Sequence, residues 1–314
     1  MSKLTKILIT GGAGFIPSCL AEKLAENPEN SLILIDNFLT GKKEKIPVSK
    51  HDNIKFIKCD VNSFSDMSSV FNAYSFDYVF HYAAMVGVKR TQENPVSVLE
   101  DITGIKNVLN LSKNTGVKRV YFSSSSEVYG EPVEFPQNEQ TTPLNSRLPY
   151  AIVKNVGEAF LKSYKQEYNL DYTIFRFFNT FGSKQSPDFV VSKFIVSALK
   201  NEDITLYGDG NQTRTFCYID DNISATTNAF YENKFVNEVV NIGGENEITI
   251  RELAETIIRV TGSKSKIVHL PALKDGDMTR RKPDITKMKQ LLTSEPVKLE
   301  DGLKKLLENT SYIL

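Results

Sequence analysis

The sequence predicts an α/β fold built on a doubly wound parallel sheet. Short apolar runs recur at residues 6–9, 32–35, 54–59, 77–84 and 119–122, and stretches of helical periodicity lie between several of them. The first run breaks into a glycine cluster with a helix pattern directly behind it. A length of 314 residues accommodates one large domain with a smaller appendage.

The first element, Lys6-Ile7-Leu8-Ile9-Thr10, leads into Gly11-Gly12-Ala13-Gly14-Phe15-Ile16-Pro17. Leu20, Leu24 and Ala25 then share one side of a helix, with Glu22 and Lys23 on the other. In that order of strand, tight turn and helix, backbone N–H groups and the positive helix end face a pyrophosphate. The second run, Leu32-Ile33-Leu34-Ile35, ends in Asp36, about 20 residues further on. A carboxylate there accepts hydrogen bonds from both adenosine ribose hydroxyls and repels a 2′-phosphate, which favours NAD over NADP. The third glycine of the pattern falls on Pro17. Proline fits a helix's first turn, so a small helix shift is expected rather than loss of the site.

Residues 38–50 are polar and read as a loop near the adenosine. The run 54–59 ends at Asp60-Val61. Asp60 can take a proton from an adenine amino group or cap the following helix, and both readings stand. The buried run 77–84 ends in Ala83-Ala84, small enough for a ribose to approach; His81 within it reads as a core histidine. A helix over 98–115 and a strand over 119–122 continue the βαβ alternation, and ligands of such sheets lie beyond the strands' carboxyl ends.

Composition narrows the function. Lys plus Arg and Asp plus Glu both number 38, so no basic field is available for nucleic acid or an anionic membrane surface. No apolar run approaches a membrane span, and the start of the chain has no signal-peptide pattern. Cys19, Cys59 and Cys217 are scattered without C-x-x-C spacing, which argues against disulfides and zinc and for a cytoplasmic protein.

The chemistry begins where the strand runs into Ser123-Ser124-Ser125-Ser126-Glu127-Val128-Tyr129-Gly130. Alone, these hydroxyls make a polar loop. The stretch Leu148-Pro149-Tyr150-Ala151-Ile152-Val153-Lys154 opens a helix on which Tyr150 and Lys154 share a face. An ammonium near a phenol stabilises phenolate, which suits a general base for an alcohol.

With these motifs the chain resembles the extended short-chain dehydrogenase/reductases of the nucleotide-sugar epimerase/dehydratase family over nearly its whole length. The likeness continues through Arg176-Phe177-Phe178-Asn179, through Tyr207-Gly208-Asp209-Gly210-Asn211-Gln212-Thr213-Arg214-Thr215-Phe216, and through Gly276-Asp277 to Arg280-Arg281-Lys282-Pro283-Asp284. It implies a Rossmann-type NAD-binding domain over residues 1–175. Residues 176–314 form mainly a smaller substrate domain, interleaved with late elements of the main sheet. Gly11, Gly14, Phe15 and Ile16 would line the NAD pyrophosphate turn, and Asp36 and Asn37 its adenosine end. Asp60, Val61, Ala83, Ala84 and Phe177 would complete the cofactor site, with Tyr150 and Lys154 at the nicotinamide.

The implied mechanism removes the 4-hydroxyl proton of a nucleoside-diphosphate sugar with Tyr150, assisted by Ser125, while hydride passes from C4 to NAD. Lys154 would hold the nicotinamide ribose and tune Tyr150. The 4-keto sugar is then re-reduced on its other face, dehydrated or decarboxylated. Dehydratases of the deoxythymidine type place an Asp-Glu pair after the hydroxyl, whereas this chain has Ser126 and Glu127. Hydroxyl-Ser-Glu resembles UDP-glucuronate decarboxylases and GDP-mannose dehydratases, and the C-terminal Gly-Asp-Gly-x-Gln-Thr-Arg and Arg-Arg-x-Pro-Asp runs are also decarboxylase-like. Tyr-Ala-Ile-Val-Lys departs from the acidic Asp-Glu-Gly interior usual in those decarboxylases, and Ala83-Ala84-Met85-Val86-Gly87-Val88 is more similar to epimerases. Glu127 as a surface or cap residue also stands. A UDP-hexose 4-epimerase is the leading expectation, with UDP-glucuronate decarboxylase and 4,6-dehydratase as alternatives.

In the C-terminal third, the resemblance assigns Asn179, Lys193, Arg214 and Arg280 to the substrate diphosphate, with Arg281 competing for the last role. Asp220-Asp221 is expected to cap a helix, and Thr249 with Glu252 to form a capping box. Apolar stripes over 99–112 and 150–166 would make a homodimer interface of the family's kind. Asp101 occupies a place where the family commonly has Asn. An NAD-sensing protein without turnover is the non-enzyme alternative, and the complete Ser125, Tyr150 and Lys154 set argues against it.

Overall fold

The computed structural model describes residues 4–131, 133–271 and 279–312. The chain divides into two compact units. The first comprises residues 1–128, 146–176 and 226–240, and the second 129–145, 177–225 and 241–314.

A seven-stranded sheet organises the first unit. Its strands are β1 (Thr5–Thr10), β2 (Asn30–Asp36), β3 (Ile54–Lys58), β4 (Tyr78–His81), β5 (Arg119–Ser125), β6 (Asp171–Phe177) and, numbered by chain position, β11 (Glu238–Ile242). Their order is β11-β6-β5-β4-β1-β2-β3, and β1 pairs in parallel with both β2 and β4. The order therefore reverses between β1 and β4, and such a switch point opens a crevice at the carboxyl ends.

Ile7, Leu8 and Ile9 are all fully buried, as are Leu34 and Ile35, so the strands are covered on both faces. Alternate residues select each cover. Leu8, Ile33, Ile35, Val79, Val120 and Phe122 pack with α2 (Phe64–Ala73), α4 (Pro95–Thr115) and α5 (Pro149–Tyr168). Leu20 and Leu24 of α1 (Phe15–Ala25) are fully buried, and α1 packs on β1 and β2. Each such burial contributes about 1.5–3 kcal/mol. Helix α3 (Val88–Glu93) precedes α4.

Pro17 is the third residue of α1 and is buried, as its tolerance in a first turn requires. Gly157 brings α5 close to the sheet, since a Cβ there would stand 2.5 Å from Phe122 Cζ and 3.1 Å from Ile105 Cδ1.

The second unit holds three two-stranded pairs. These are β7 (Thr180–Phe181) with β10 (Cys217–Tyr218), β9 (Thr213–Thr215) with β12 (Glu247–Thr249), and β8 (Ile204–Tyr207) with β13 (Ile267–Leu270). Helices α6 (Val190–Leu199) and α10 (Leu299–Leu307) pack on α8 (Ile250–Thr261), and α9 (Thr286–Lys289) is a single turn. The capping box of Thr249 and Glu252 opens α8 as expected.

Two capping expectations are corrected. Ser63, not Asp60, caps α2, accepting from Asp66 N; Asp60 instead accepts from Asn62 N at 2.9 Å. Asp220 and Asp221 lie inside the first turn of α7 (Ile219–Tyr231), and Asp221 holds Val297 N at 2.8 Å.

Candidate active site

The glycine turn closes by hydrogen bonds from Gly14 N to Gly11 O (2.7 Å) and from Gly12 N to Ile35 O (2.9 Å). Gly11 has φ +73°, a conformation that side chains resist, and a Cβ there would lie 3.0 Å from the Ala83 Cα and N. Gly14 caps α1 with no side-chain hydrogen bond, so first-turn N–H groups remain open to an anion. Phe15 and Ile16 form that first turn.

Asp36 ends β2 and is nearly buried, accepting from Ala13 N (3.1 Å) and Phe38 N (2.7 Å). Burial raises its pKa, and the two backbone N–H groups oppose the rise. Lys42 N returns to Ala13 O at 2.9 Å, folding the loop from Asn37 onward back over the turn.

Thr10, the last residue of β1, fixes the end of β4. Its hydroxyl oxygen accepts from Tyr82 N and Ala83 N, each at 3.0 Å, and meets His81 Nδ1 at 2.9 Å. With both lone pairs used, the hydroxyl donates its proton to Nδ1, which leaves the imidazole neutral. Burial and Lys154 hold His81 down at about 3, in accord with that neutral form. His81 is thus a core residue, as the sequence indicates. Ala83 and Ala84 follow it without bulk above Gly11. These features fit a dinucleotide.

Strand β5 extends through Ser125, so the hydroxyls belong to a buried strand. Ser125 Oγ accepts from Glu127 N at 3.2 Å and opens the 3-10 turn of Ser126–Tyr129. Ser126 is buried, and Glu127 is partly so. On α5, Tyr150 lies in the first turn, partly exposed, and Lys154 is 3% exposed one turn later. Lys154 Nζ stands 3.4 Å from Ser123 Oγ, 5.0 Å from the Phe122 ring centroid and 5.7 Å from that of Tyr150. Burial lowers the Lys154 pKa to about 8, with Asp101 acting in the other direction.

In the second unit Asn179 has φ +34°, and its Nδ2 donates to Thr215 O at 2.9 Å. Lys193 lies on α6 with Nζ 5.5 Å from the Tyr207 ring. Arg214 is buried on β9 and donates to Thr213 O at 2.7 Å. Arg281 N binds Thr213 O at 3.2 Å, so residues 279–281 run beside β9 and place Arg280 and Arg281 next to Arg214 along the backbone. The Arg280 guanidinium grips both oxygens of Glu247 and lies 4.1 Å from the Phe135 ring centroid, whereas Arg281 is buried. Phe177 ends β6. Gly276 and Asp277 fall outside the described residues.

Residues 7–243 match the NAD dependent epimerase/dehydratase family. The chain belongs to that family. It is an enzyme, and its cofactor is NAD. It is 38% identical to a UDP-N-acetyl-alpha-D-glucosaminuronate decarboxylase of Bacillus cytotoxicus over 96% of this chain and 97% of the relative. The UDP-glucose 4-epimerase of Thermotoga maritima, solved with UDP-glucose, superposes with a TM-score of 0.90 at 35% identity, covering 97% and 98% of the two chains. A UDP-glucuronic acid 4-epimerase of Bacillus cereus, solved with NAD and UDP-glucuronic acid, gives 0.89 at 29% identity, covering 98% and 99%.

Two supports of the family site escape a motif reading. Ser123 touches Lys154, and Glu158 continues the Tyr150–Lys154 face by one more turn. Glu158 accepts from Ser124 at 2.6 Å and from Arg176 at 2.9 and 2.7 Å. The i, i+4, i+8 spacing is the signal that marks Glu158.

Proposed function

We propose that this protein is a UDP-hexose 4-epimerase that works by transient oxidation of the sugar C4. The observation that carries the reading is the buried Lys154 ammonium, set on the Tyr150 face of α5 beside the β5 hydroxyls. Tyr150 as phenolate takes the proton of the sugar 4-hydroxyl, and the Ser125 O–H donates to that same oxygen. Lys154 stabilises the phenolate and binds the nicotinamide ribose. NAD held beside Lys154 would supply the hydride acceptor for C4 and the donor for its re-reduction. Re-reduction on the opposite face inverts C4.

Asp36 and Asn37 bind the adenosine ribose, Asp60 and Val61 the adenine, and Gly11, Gly14, Phe15 and Ile16 the pyrophosphate. Ala83, Ala84 and Phe177 bound the nicotinamide half. Asn179, Lys193, Arg214 and Arg280 hold the UDP diphosphate, for which Arg280 has to leave Glu247. Residues 1–175 thus serve the cofactor and 176–314 mainly the nucleotide sugar. We further propose a cytoplasmic homodimer through α4 and α5, where Leu99 and Ile152 are exposed, to be checked by mass in solution. Among the described residues no helix is long and apolar enough to cross a membrane.

A second reading, UDP-glucuronate decarboxylation, is favoured by Glu127, an acid that simple epimerisation does not use, and by the Bacillus cytotoxicus relative. One experiment separates the readings. The purified protein, without added NAD, is incubated with UDP-glucose, UDP-N-acetylglucosamine and UDP-glucuronate, and products are followed by mass and proton NMR. An isobaric product with inverted C4 coupling is expected. Loss of CO2 from the glucuronate establishes the second reading, and loss of water a dehydratase.

A further inference from the structure

We infer that Ser124, Glu158 and Arg176 are positioning residues that set where α5 lies along β5, and so where Tyr150 stands relative to Ser125. The inference rests on the roles of Tyr150 and Ser125 proposed above. The three side chains come from three elements of the first unit. Ser124 lies on β5 directly before Ser125, and Arg176 on β6, the strand beside β5. Glu158 lies on α5, about two helical turns beyond Tyr150. Ser124 Oγ donates to Glu158 Oε1 at 2.6 Å. Arg176 donates from Nε to Oε1 at 2.9 Å and from Nη2 to Oε2 at 2.7 Å. None of the three is more than 2% exposed.

Stability alone does not account for this network. Desolvation of two buried ions offsets their attraction, and apolar side chains of similar volume commonly do as well. Losing one partner is costly only because the other charge is stranded. What a carboxylate in a guanidinium fork supplies is direction. The neighbouring contacts of α5 are poor in it. Gly157 meets the flat Phe122 ring without a side chain of its own, a Cβ there standing 2.5 Å from Cζ. Lys154 reaches Ser123 Oγ at 3.4 Å on a flexible stem. A slip of one residue along a helix moves a side chain by about 1.5 Å and turns it by about 100°. Misplacing a reacting group by about 1 Å costs about a hundredfold in rate. Glu158 blocks that slip on the face of α5 that carries Tyr150 and Lys154. Ser124 passes the constraint to the residue before Ser125, and Arg176 ties both to β6.

The test uses the full-length protein with its cofactor, labelled with 3-fluorotyrosine. The Tyr150 signal in 19F NMR is the one absent from Tyr150→Phe. Ser124→Ala cuts the tie to β5 and keeps the ion pair, whereas Glu158→Met combined with Arg176→Met replaces the pair by apolar side chains. Neither variant strands a buried charge, so both are expected to unfold in urea near the wild-type midpoint. Their Tyr150 signal is expected to shift or split. On unlabelled protein, kcat for whichever UDP sugar the wild type converts is expected to fall about tenfold or more, with KM little changed. A Tyr150 signal unchanged in Ser124→Ala overturns the inference even if turnover falls, and so does a shifted signal with full kcat. The signal is read without sugar. A wild type that converts no UDP sugar therefore defeats the C4 chemistry alone, and the Tyr150 signal still decides the network. Should the double variant fold poorly, Ser124→Ala carries the test by itself.

Discussion

Replacing Lys154 by Met should abolish activity and at the same time stabilise the protein. In the fold Lys154 is 3% exposed, and burial brings its ammonium from 10.5 to about 8. The gap between those values corresponds to about 3 kcal/mol, at 1.36 kcal/mol for each pH unit. The folded value lies below the unfolded one. Below pH 8 the lysine is charged in both states, and the native state bears the whole penalty. Between pH 8 and 10.5 the native state gives up the proton first, so stability rises with pH across that window. Methionine fills similar volume without the charge; the Asp101 attraction is already contained in the lowered value, and the further loss is the contact with Ser123, worth about 1 kcal/mol. A net stabilisation of about 2 kcal/mol at pH 7 follows, shrinking to nothing or reversing by pH 10.5. Urea unfolding of both proteins, stripped of NAD, measures it at pH 7 and pH 10. A Lys154→Met variant less stable than the wild type at pH 7, or one with the same pH dependence above pH 8, refutes the reasoning.

Other substitutions test the cofactor turn and the support beneath the catalytic helix. Gly11→Ala puts a side chain at φ +73° within 3.0 Å of the Ala83 backbone, and should cost about 1–2 kcal/mol in urea unfolding as well as weaken NAD binding. Asp36→Asn removes a charged acceptor and should lower NAD affinity about tenfold or more by calorimetry; an unchanged Kd contradicts the assignment. Glu158→Ala leaves the Arg176 guanidinium, 2% exposed, without its bidentate partner and should cost about 3–5 kcal/mol. A loss below about 1 kcal/mol in urea unfolding shows that the pair is dispensable.

Much of the fold around the candidate site was legible in the sequence because its signals are local. The run of Ile7, Leu8 and Ile9 into Gly11 and the helix face of Leu20 and Leu24 are spaced by backbone geometry alone, and Asp36 follows at a fixed distance. Thr249 and Glu252 form a capping box for the same reason. The misreadings arise where local signals compete. Asp60 and Ser63 are both good caps, and the helix begins after the serine. Asp220 and Asp221 resemble caps, yet the helix starts one residue earlier and Asp221 turns to Val297, far along the chain. Ser123 and Ser124 read as loop residues because a buried strand hydroxyl needs a partner, and their partners, Lys154 and Glu158, come from a distant helix. Arg280 and Arg281 cannot be ranked by pattern, since only the fold reveals that Glu247 already holds the first.

The central claim is that hydride leaves C4 and returns to it within one active site. UDP-glucose and UDP-glucuronate carrying deuterium at C4 test it directly, whether epimerisation or decarboxylation follows the oxidation. In ordinary water the product should keep the deuterium at C4, and the Tyr150→Phe variant should bind the same sugars with little turnover. A product that has exchanged its C4 label for solvent hydrogen, or full turnover in Tyr150→Phe, contradicts the account.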